Sequence, residues 1–456
     1  MEQKKNSFAR MGIMIAMVNF MTGFVLTMAQ NYASYSYTDL AGISPTMMGT
    51  CMFIVNSIAV VITLLSGAII TRSKSKNGQF RPWFLGATVV GLIGGFLIFF
   101  NVGNSILLKA IIISIGYLMA NSSMDFIYTS NGALLTAMAG ADSEKRTKLM
   151  GRQWQGGSIC YIVSGFAVVP LVTFFCKFTN ETVAFVIVQA IFTVIVMIGT
   201  IIYYKETKDY DPDNTKSDVR AEESPSFLEM LKAVVANREA VTVLLSDVAR
   251  FTGYYVLFSM MIYQCTYVIG DMMAMSYVLS ASNFCAFVGA SIAPKIAEKL
   301  GGRKKAVFVF GGITGLAALS IGFFGQTLWG FVISCSAYFF FMSFIDTVDS
   351  MLYMDAGEIW LNKTGKDTRP YLFSMYNVSV KIAMALSSIA LAALLNIINY
   401  TPGMVLDQAG KNTLSWSTAI APAVGYLLPL VIMLFHRVPD KEVARMIEEN
   451  AQKAEQ

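Results

Sequence analysis

Apolar residues fall along this chain in long blocks separated by short polar stretches. The runs lie near 11–36, 44–71, 82–102, 106–140, 153–176, 183–204, 240–269, 272–297, 305–325, 328–356, 371–398 and 415–436. A helix needs about 20 such residues to cross a hydrocarbon core roughly 30 Å thick, and these runs meet that length. Twelve runs in two groups of six predict an all-α membrane protein of twelve transmembrane helices in two pseudo-symmetric halves. The expected boundaries are a six-helix half over 1–204, a central cytoplasmic loop over 205–239, a second six-helix half over 240–436 and a cytoplasmic tail over 437–456. The central segment opens KETKDYDPDNTKSDVRAEESP, whose charge and two prolines predict a flexible loop. The following SFLEMLKAVVANREA predicts a short helix on the membrane surface.

Composition agrees with the pattern. Apolar residues make up 55% of the chain and charged ones 14%, against about 25% charged in an ordinary soluble domain. The net charge of +5 sits in short loops, which is a membrane-surface distribution and not a nucleic-acid footprint. The six cysteines (Cys51, Cys160, Cys176, Cys265, Cys285, Cys335) lie in or beside apolar runs without a CxxC pair, and read as small buried hydrophobes. The single histidine, His436, ends the last run, which sets aside a histidine metal site or proton relay. The first run exceeds the 7–15 residues of a signal-peptide core, so it reads as a retained first helix. No P-loop, HExxH or GxSxG occurs, nor paired catalytic carboxylates with an accompanying motif, so no enzyme activity is expected.

The basic residues set the topology. Arg72, Lys74, Lys76 and Arg81 fall in 72–82, Lys145, Arg146, Lys148 and Arg152 in 142–152, and Lys295, Lys299, Arg303, Lys304 and Lys305 in 295–305. These loops alternate with 37–43, 325–328 and 399–414, which together hold only Lys411. The positive-inside rule then places the basic loops and both termini in the cytoplasm of a cell inner membrane.

A weak internal echo links the halves. SGAIITRSKSKNGQFRPWFLGA and ASIAPKIAEKLGGRKKAVFVFGG each run from small residues through a basic, glycine-containing turn into the next apolar run. Paired six-helix halves with this loop resemble the major-facilitator transporters. The block GAIITRSKSKNGQFRPWF (67–84) resembles the helix-2 signature of the glycoside–pentoside–hexuronide cation symporters, the family that includes the melibiose carriers. YSYTDLAGIS (35–44), MDFIYTSNGALLTAMAGADSEKRTKLMGRQW (124–154), MDAGEIWLNKTGKDTRPYLFSMYNVSVK (354–381) and RVPDKEVARMIEEN (437–450) fit that family in order and spacing. The resemblance implies a major-facilitator fold that carries a sugar or glycoside by alternating access, coupled to sodium or a proton. It implies no cofactor and a carrier that works as a monomer. Asp125 matches the family's helix-4 acid, Arg152 the basic residue opening helix 5, and Lys381 the lysine of helix 11.

The departures from the family carry information. Its two helix-2 acids fall on Ala59 and Thr63, and its helix-1 acid on Gly23. Three carboxylates of the usual cation site are absent, and a hard cation such as Na⁺ wants several oxygen ligands. Proton coupling is therefore expected ahead of sodium coupling. Losing acids while keeping Arg152 and Lys381 also suits an anionic substrate, such as a hexuronide.

Ionisable residues in mid-membrane cost at least about 2.5–3.5 kcal/mol each, which makes them functional candidates by default. Asn121, Asp125, Thr129 and Gly132 share one face of the fourth helix. Asn19, Gly23, Thr27 and Gln30 do so on the first, and Ser374, Asn377, Lys381 and Ser388 on the eleventh. The expected substrate site is a water-filled cavity between the halves, lined by these stripes. Asp125 and Lys381 are the expected coupling residues. Tyr128, Trp154, Tyr254, Tyr255 and Tyr376 are candidate rings for the sugar's apolar face, and each has an equally ordinary reading as packing or interface belt. Arg72 and Arg81, with Lys74 and Lys76, read as topology anchors and as a gate that clamps neighbouring acids. Asp247 and Arg250 read as a self-neutralising pair at i, i+3, and Asp346 and Asp349 carry no assigned role. An uncoupled facilitator and a membrane sugar receptor that moves nothing are the competing classes.

Overall fold

A computed structural model describes residues 2–101, 103–140, 142–213, 215, 235–300, 303–365, 369–436 and 438–454. Twelve helices among them are long and apolar enough to cross a membrane. They are α1 (Glu2–Tyr35), α2 (Pro45–Arg72), α3 (Arg81–Phe99), α4 (Ile106–Ala139), α5 (Ser143–Phe175), α6 (Glu181–Glu206), α7 (Arg238–Tyr263), α8 (Ala274–Leu300), α9 (Arg303–Phe324), α10 (Leu328–Thr364), α11 (Arg369–Ile397) and α12 (Gln408–Met433). A thirteenth, α13 (Asp440–Ala454), follows them. Helices suit this environment because each satisfies its own backbone where water is absent.

The apolar runs mark the helices, and some helices outrun them. α5 begins at Ser143, ten residues before its run, because Asp142 caps it by accepting the Lys145 amide at 3.0 Å. α10 continues to Thr364 and stops at Gly365, which takes φ +71°. Helix ends follow capping chemistry, whereas the runs follow the bilayer. Two helices loosen into a π-turn before they end: α1 continues through Ser36–Leu40 and α7 through Gln264–Ile269. The expected surface helix of the central segment lies largely outside the described residues.

The chain divides into two compact units. The first comprises Met1–Ser224 with Met275–Ser280 and Thr401–Gly403, and the second holds the rest. In the first, α3 and α4 cross where Gly94 faces Gly116, so closely that an added Cβ on Gly94 would lie 2.6 Å from the Gly116 carbonyl. In the second, α7 and α12 cross the same way at Gly253 and Gly425. Apolar tails give no hydrophobic drive between helices, so close contact of small residues supplies the packing. The tail, for which hydropathy predicts no span, forms α13. Its Val443 and Met446 pack with Val438 on Ile359 of α10, while Asn450 donates to the Glu358 carboxylate at 2.8 Å.

The motif loop between α2 and α3 is fixed from one side by Asp211, just beyond α6. Its carboxylate accepts the backbone amides of Gln79, Phe80 and Arg81, each at 2.8 Å, and so caps α3 with a charge where the helix dipole is positive. Gly78 makes this approach possible: its φ is +94°, and a Cβ there would run into Asp211. Arg81 is buried, donates Nε and Nη2 to the Tyr204 carbonyl at 2.8 and 2.6 Å, and stacks over the Tyr204 ring. Arg72 is exposed. Of the two expected gate residues, Arg81 is thus built into the first unit.

Asp211→Ala is expected to destabilise the protein by about 1–2 kcal/mol, the value of a lost charged cap. Thermal melting of the detergent-solubilised protein checks it, with Asp213→Ala, whose carboxylate bonds within the loop to Thr215, as the control that melts like wild type.

Candidate functional site

The first unit holds Asp125 on α4, half-buried, against α2. Thr63 Oγ1 lies 2.8 Å from the Asp125 carboxylate and 2.8 Å from the Ala59 carbonyl one turn back on its own helix. These two α2 residues stand where the resemblance expects acids. Thr63 puts one neutral hydroxyl beside Asp125, and Ala59 is fully buried. The third such position is closed as well. A Cβ on Gly23 would meet the Cys160 Sγ of α5 at 2.7 Å and its Cβ at 3.0 Å, so α1 and α5 pack too tightly there for a larger side chain. Among the described residues, no group of three His, Cys, Asp or Glu side chains is placed to hold a metal ion.

The other candidates of this unit fall into three settings. Asn19 is buried and uses both ends of its amide within the helix packing. It donates to the Ile15 carbonyl at 2.8 Å and accepts from Asn131 Nδ2 at 3.2 Å, while Tyr203 Oη donates to Asn131 Oδ1 at 2.7 Å. That chain ties α1, α4 and α6 together. Asn121 is buried beside Tyr117, facing α2 where Asn56 lies. Thr129 is half-buried, and Tyr128 and Trp154 are exposed. Arg152 is exposed near the start of α5, lies across Gly12 of α1 and donates to Gln155 at 3.0 Å. The structure brings Asp125 to Thr63, and it gives Arg152 a different partner.

In the second unit, Lys381 is half-buried on α11 and Asn377 is exposed one turn earlier. Tyr376 meets the Phe251 ring edge-on at 5.6 Å, and Tyr254 stacks among Tyr255, Phe258 and Phe339. Asp247 and Arg250 pair at 3.6 Å, as the i, i+3 spacing predicts. The pair is not closed on itself, because Arg250 Nη1 also donates to Asp346 of α10. The Asp349 side chain lies outside the described residues. The sequence signal for Asp346 was an internal one: Tyr117, Ser122 and Asp125 of α4 repeat in spacing as Tyr338, Ser343 and Asp346 of α10.

Comparison with known proteins places the chain among transporters. The profile of the MFS/sugar transport protein family matches residues 14–440. The uncharacterized symporter YjmB of Bacillus subtilis (strain 168) is 25% identical over 444 residues, covering 96% of this chain and 94% of its own. A protein of Escherichia coli (strain K12) named for the import of sulfoquinovose is 23% identical over 437 residues, covering 94% and 90%. The crystal structure of the nucleoside transporter NupG superposes with a TM-score of 0.66 at 12% identity, covering 94% of this chain and 100% of that one, a likeness of fold.

Gly23→Ala is expected to lower stability by about 1–3 kcal/mol through overpacking against Cys160. Adding Cys160→Ala, which removes the offending sulfur, should recover part of the loss; equal melting of Gly23→Ala and wild type would show that the α1–α5 contact has room.

Proposed function

This chain belongs to the MFS/sugar transport protein family, on its glycoside–pentoside–hexuronide branch, and from that premise we propose that it moves an acidic sugar or glycoside by alternating access, driven by a proton. It is a multi-pass membrane transporter of a sugar or glycoside; the acid, the proton and the direction of the helices in an inner membrane are the proposal. One observation carries it: Asp125 faces a threonine where the family carries an acid, and Cys160 fills the space at Gly23. One carboxylate with one hydroxyl offers too few oxygens for sodium. A proton needs a single carboxylate.

Asp125 then serves the substrate, accepting hydrogen bonds from sugar hydroxyls. With Gly23, Ala59 and Thr63 in place of three acids, the first unit carries less negative charge than the family pattern, which suits an acidic substrate. The relative named for sulfoquinovose import supports an anionic sugar, since sulfoquinovose carries a sulfonate. The carrier works as a monomer, with both termini on the side of the basic loops.

Two measurements test this reading. Labelled neutral and acidic glycosides are offered to vesicles holding the purified protein under a sodium gradient, a proton gradient or none. The expected result is accumulation of acidic glycosides under the proton gradient alone, and loss of all flux in Asp125→Asn. Sodium-driven accumulation, or equal transport of neutral glycosides, contradicts it, and equilibration without accumulation identifies a facilitator. For topology, Cys176 is exposed in the turn between α5 and α6. A membrane-impermeant maleimide should label it from outside intact cells. Partial loss of hydration at the sulfur, with the Glu181 carboxylate nearby, pushes this thiol above its ordinary value. Labelling therefore quickens as the pH rises past the usual thiol range, since the thiolate is the reacting form. Labelling only in inverted vesicles would reverse the orientation.

A further inference from the structure

The second unit contains an ionic group that the reading above does not use. Asp247 and Arg250 lie on α7 and Asp346 on α10, with Asp247 1%, Arg250 3% and Asp346 35% exposed at their side chains. Ser246, Asp247, Arg250, Val307, Gly311 and Tyr426 line a small cavity beside the group. The guanidinium also sits 4.1 Å from the centre of the Phe251 ring. Tyrosines also stand near it: Tyr426 from α12, Tyr338 from α10, the two rings edge-to-face at 5.4 Å, and Tyr376 from α11 against Phe251. The cavity wall from α9 is apolar, formed by Val307 and Gly311.

Two features separate this group from helix glue. Replacing a buried ionic triad by apolar residues is often neutral or stabilising, so stability alone is a weak reason to keep one. The second feature is the repeat. Asp346 is the counterpart of Asp125, at the same eight-residue spacing after a buried tyrosine, Tyr338 for Tyr117. Asp247 is likewise the counterpart of Asn19: each lies sixteen residues before the tyrosine that precedes the π-turn, Tyr263 and Tyr35. In the first unit these helices are joined by neutral amides, Asn19 to Asn131. In the second, α7 and α10 are joined through ions.

We infer that Asp346 is the residue that takes up and releases the driving proton, with Arg250 as its counter-ion and buried Asp247 as the fixed carboxylate that keeps Arg250 paired. This rests on the proton-driven reading above, and it moves the coupling role from Asp125 to its counterpart in the second repeat. In the step, a proton from solvent binds a carboxylate oxygen of Asp346, the more exposed acid. The bond from Arg250 Nη1 to that carboxylate is released, and the guanidinium keeps its pairing with buried Asp247. Loss of the proton to the opposite solvent restores the Arg250–Asp346 bond. No other co-reactant is needed, and the change ties the contact between α7 and α10 to one proton.

Infrared difference spectroscopy on the full-length protein in phosphatidylcholine vesicles tests this without a known substrate. Between alkaline and acidic pH the wild type should gain, beside the signals of its exposed acids, a distinct protonated-carboxyl band. The band should vanish in Asp346→Asn, shift in Asp346→Glu, and persist in Asp125→Asn. Its absence from the wild type, or its survival in Asp346→Asn, overturns the assignment. In transport, Asp346→Asn should lose proton-driven accumulation of labelled methyl glucuronide by at least tenfold yet retain exchange of the label at equal concentrations. A purely structural triad would lower the melting temperature and both fluxes together, leaving the band in place. If wild type moves no glycoside, the function proposed above fails while the spectrum still decides the role of Asp346.

Discussion

The hydrocarbon core of a membrane supplies no water, so every charge and amide placed there must find its partner in the protein. That constraint orders this molecule. It makes the apolar runs into helices, brings helices together at glycines, and leaves few ionisable residues inside. The polar groups that remain are held in specific ways. Asp125 is met by a threonine hydroxyl, Arg250 bridges two carboxylates, and Asn19 and Asn131 use their amides on each other. The basic loops lie outside the core, where Asp211 fixes one of them through three backbone amides.

The two units solve the same problem with different chemistry. Between α1 and α4 the connection is neutral and its hydrogen bonds run from amide to amide. Such a link holds helices without responding to a proton gradient. Between the corresponding α7 and α10 the connection is ionic, with one acid buried and the other half-exposed. An ionic link changes strength when one acid gains a proton. In this account the first unit has given up the acids that would hold sodium, at Gly23, Ala59 and Thr63, and keeps Asp125 for the sugar. The second unit carries the charge that answers the gradient.

The twelve helices were legible because their signal is length and apolarity, both of which survive in a single sequence. Their ends were less so. Asp142 and Gly365 set the ends of α5 and α10 outside their apolar runs by capping chemistry that hydropathy does not register. The tail helix was written into Val443 and Met446, three residues apart, but its surface on α10 belongs to a different part of the chain. Periodicity draws polar stripes as helix faces, and a face does not say what covers it. Asn19 stands on a stripe and is covered by α4, whereas Asp125 stands on one beside α2. Asp346 was visible only as an internal echo, and its partner is 96 residues away. The pair at Asp247 and Arg250 hid it, because an i, i+3 match looks complete on its own.

The central claim is that sugar and proton cross together. A pH electrode in a lightly buffered suspension of vesicles holding the purified protein, with the membrane potential collapsed by valinomycin and potassium, reads this directly. On addition of an acidic glycoside the account predicts alkalinisation of the medium that begins with sugar entry, scales with it and is absent from protein-free vesicles. Sugar entry at the same rate with no change in external pH would contradict it.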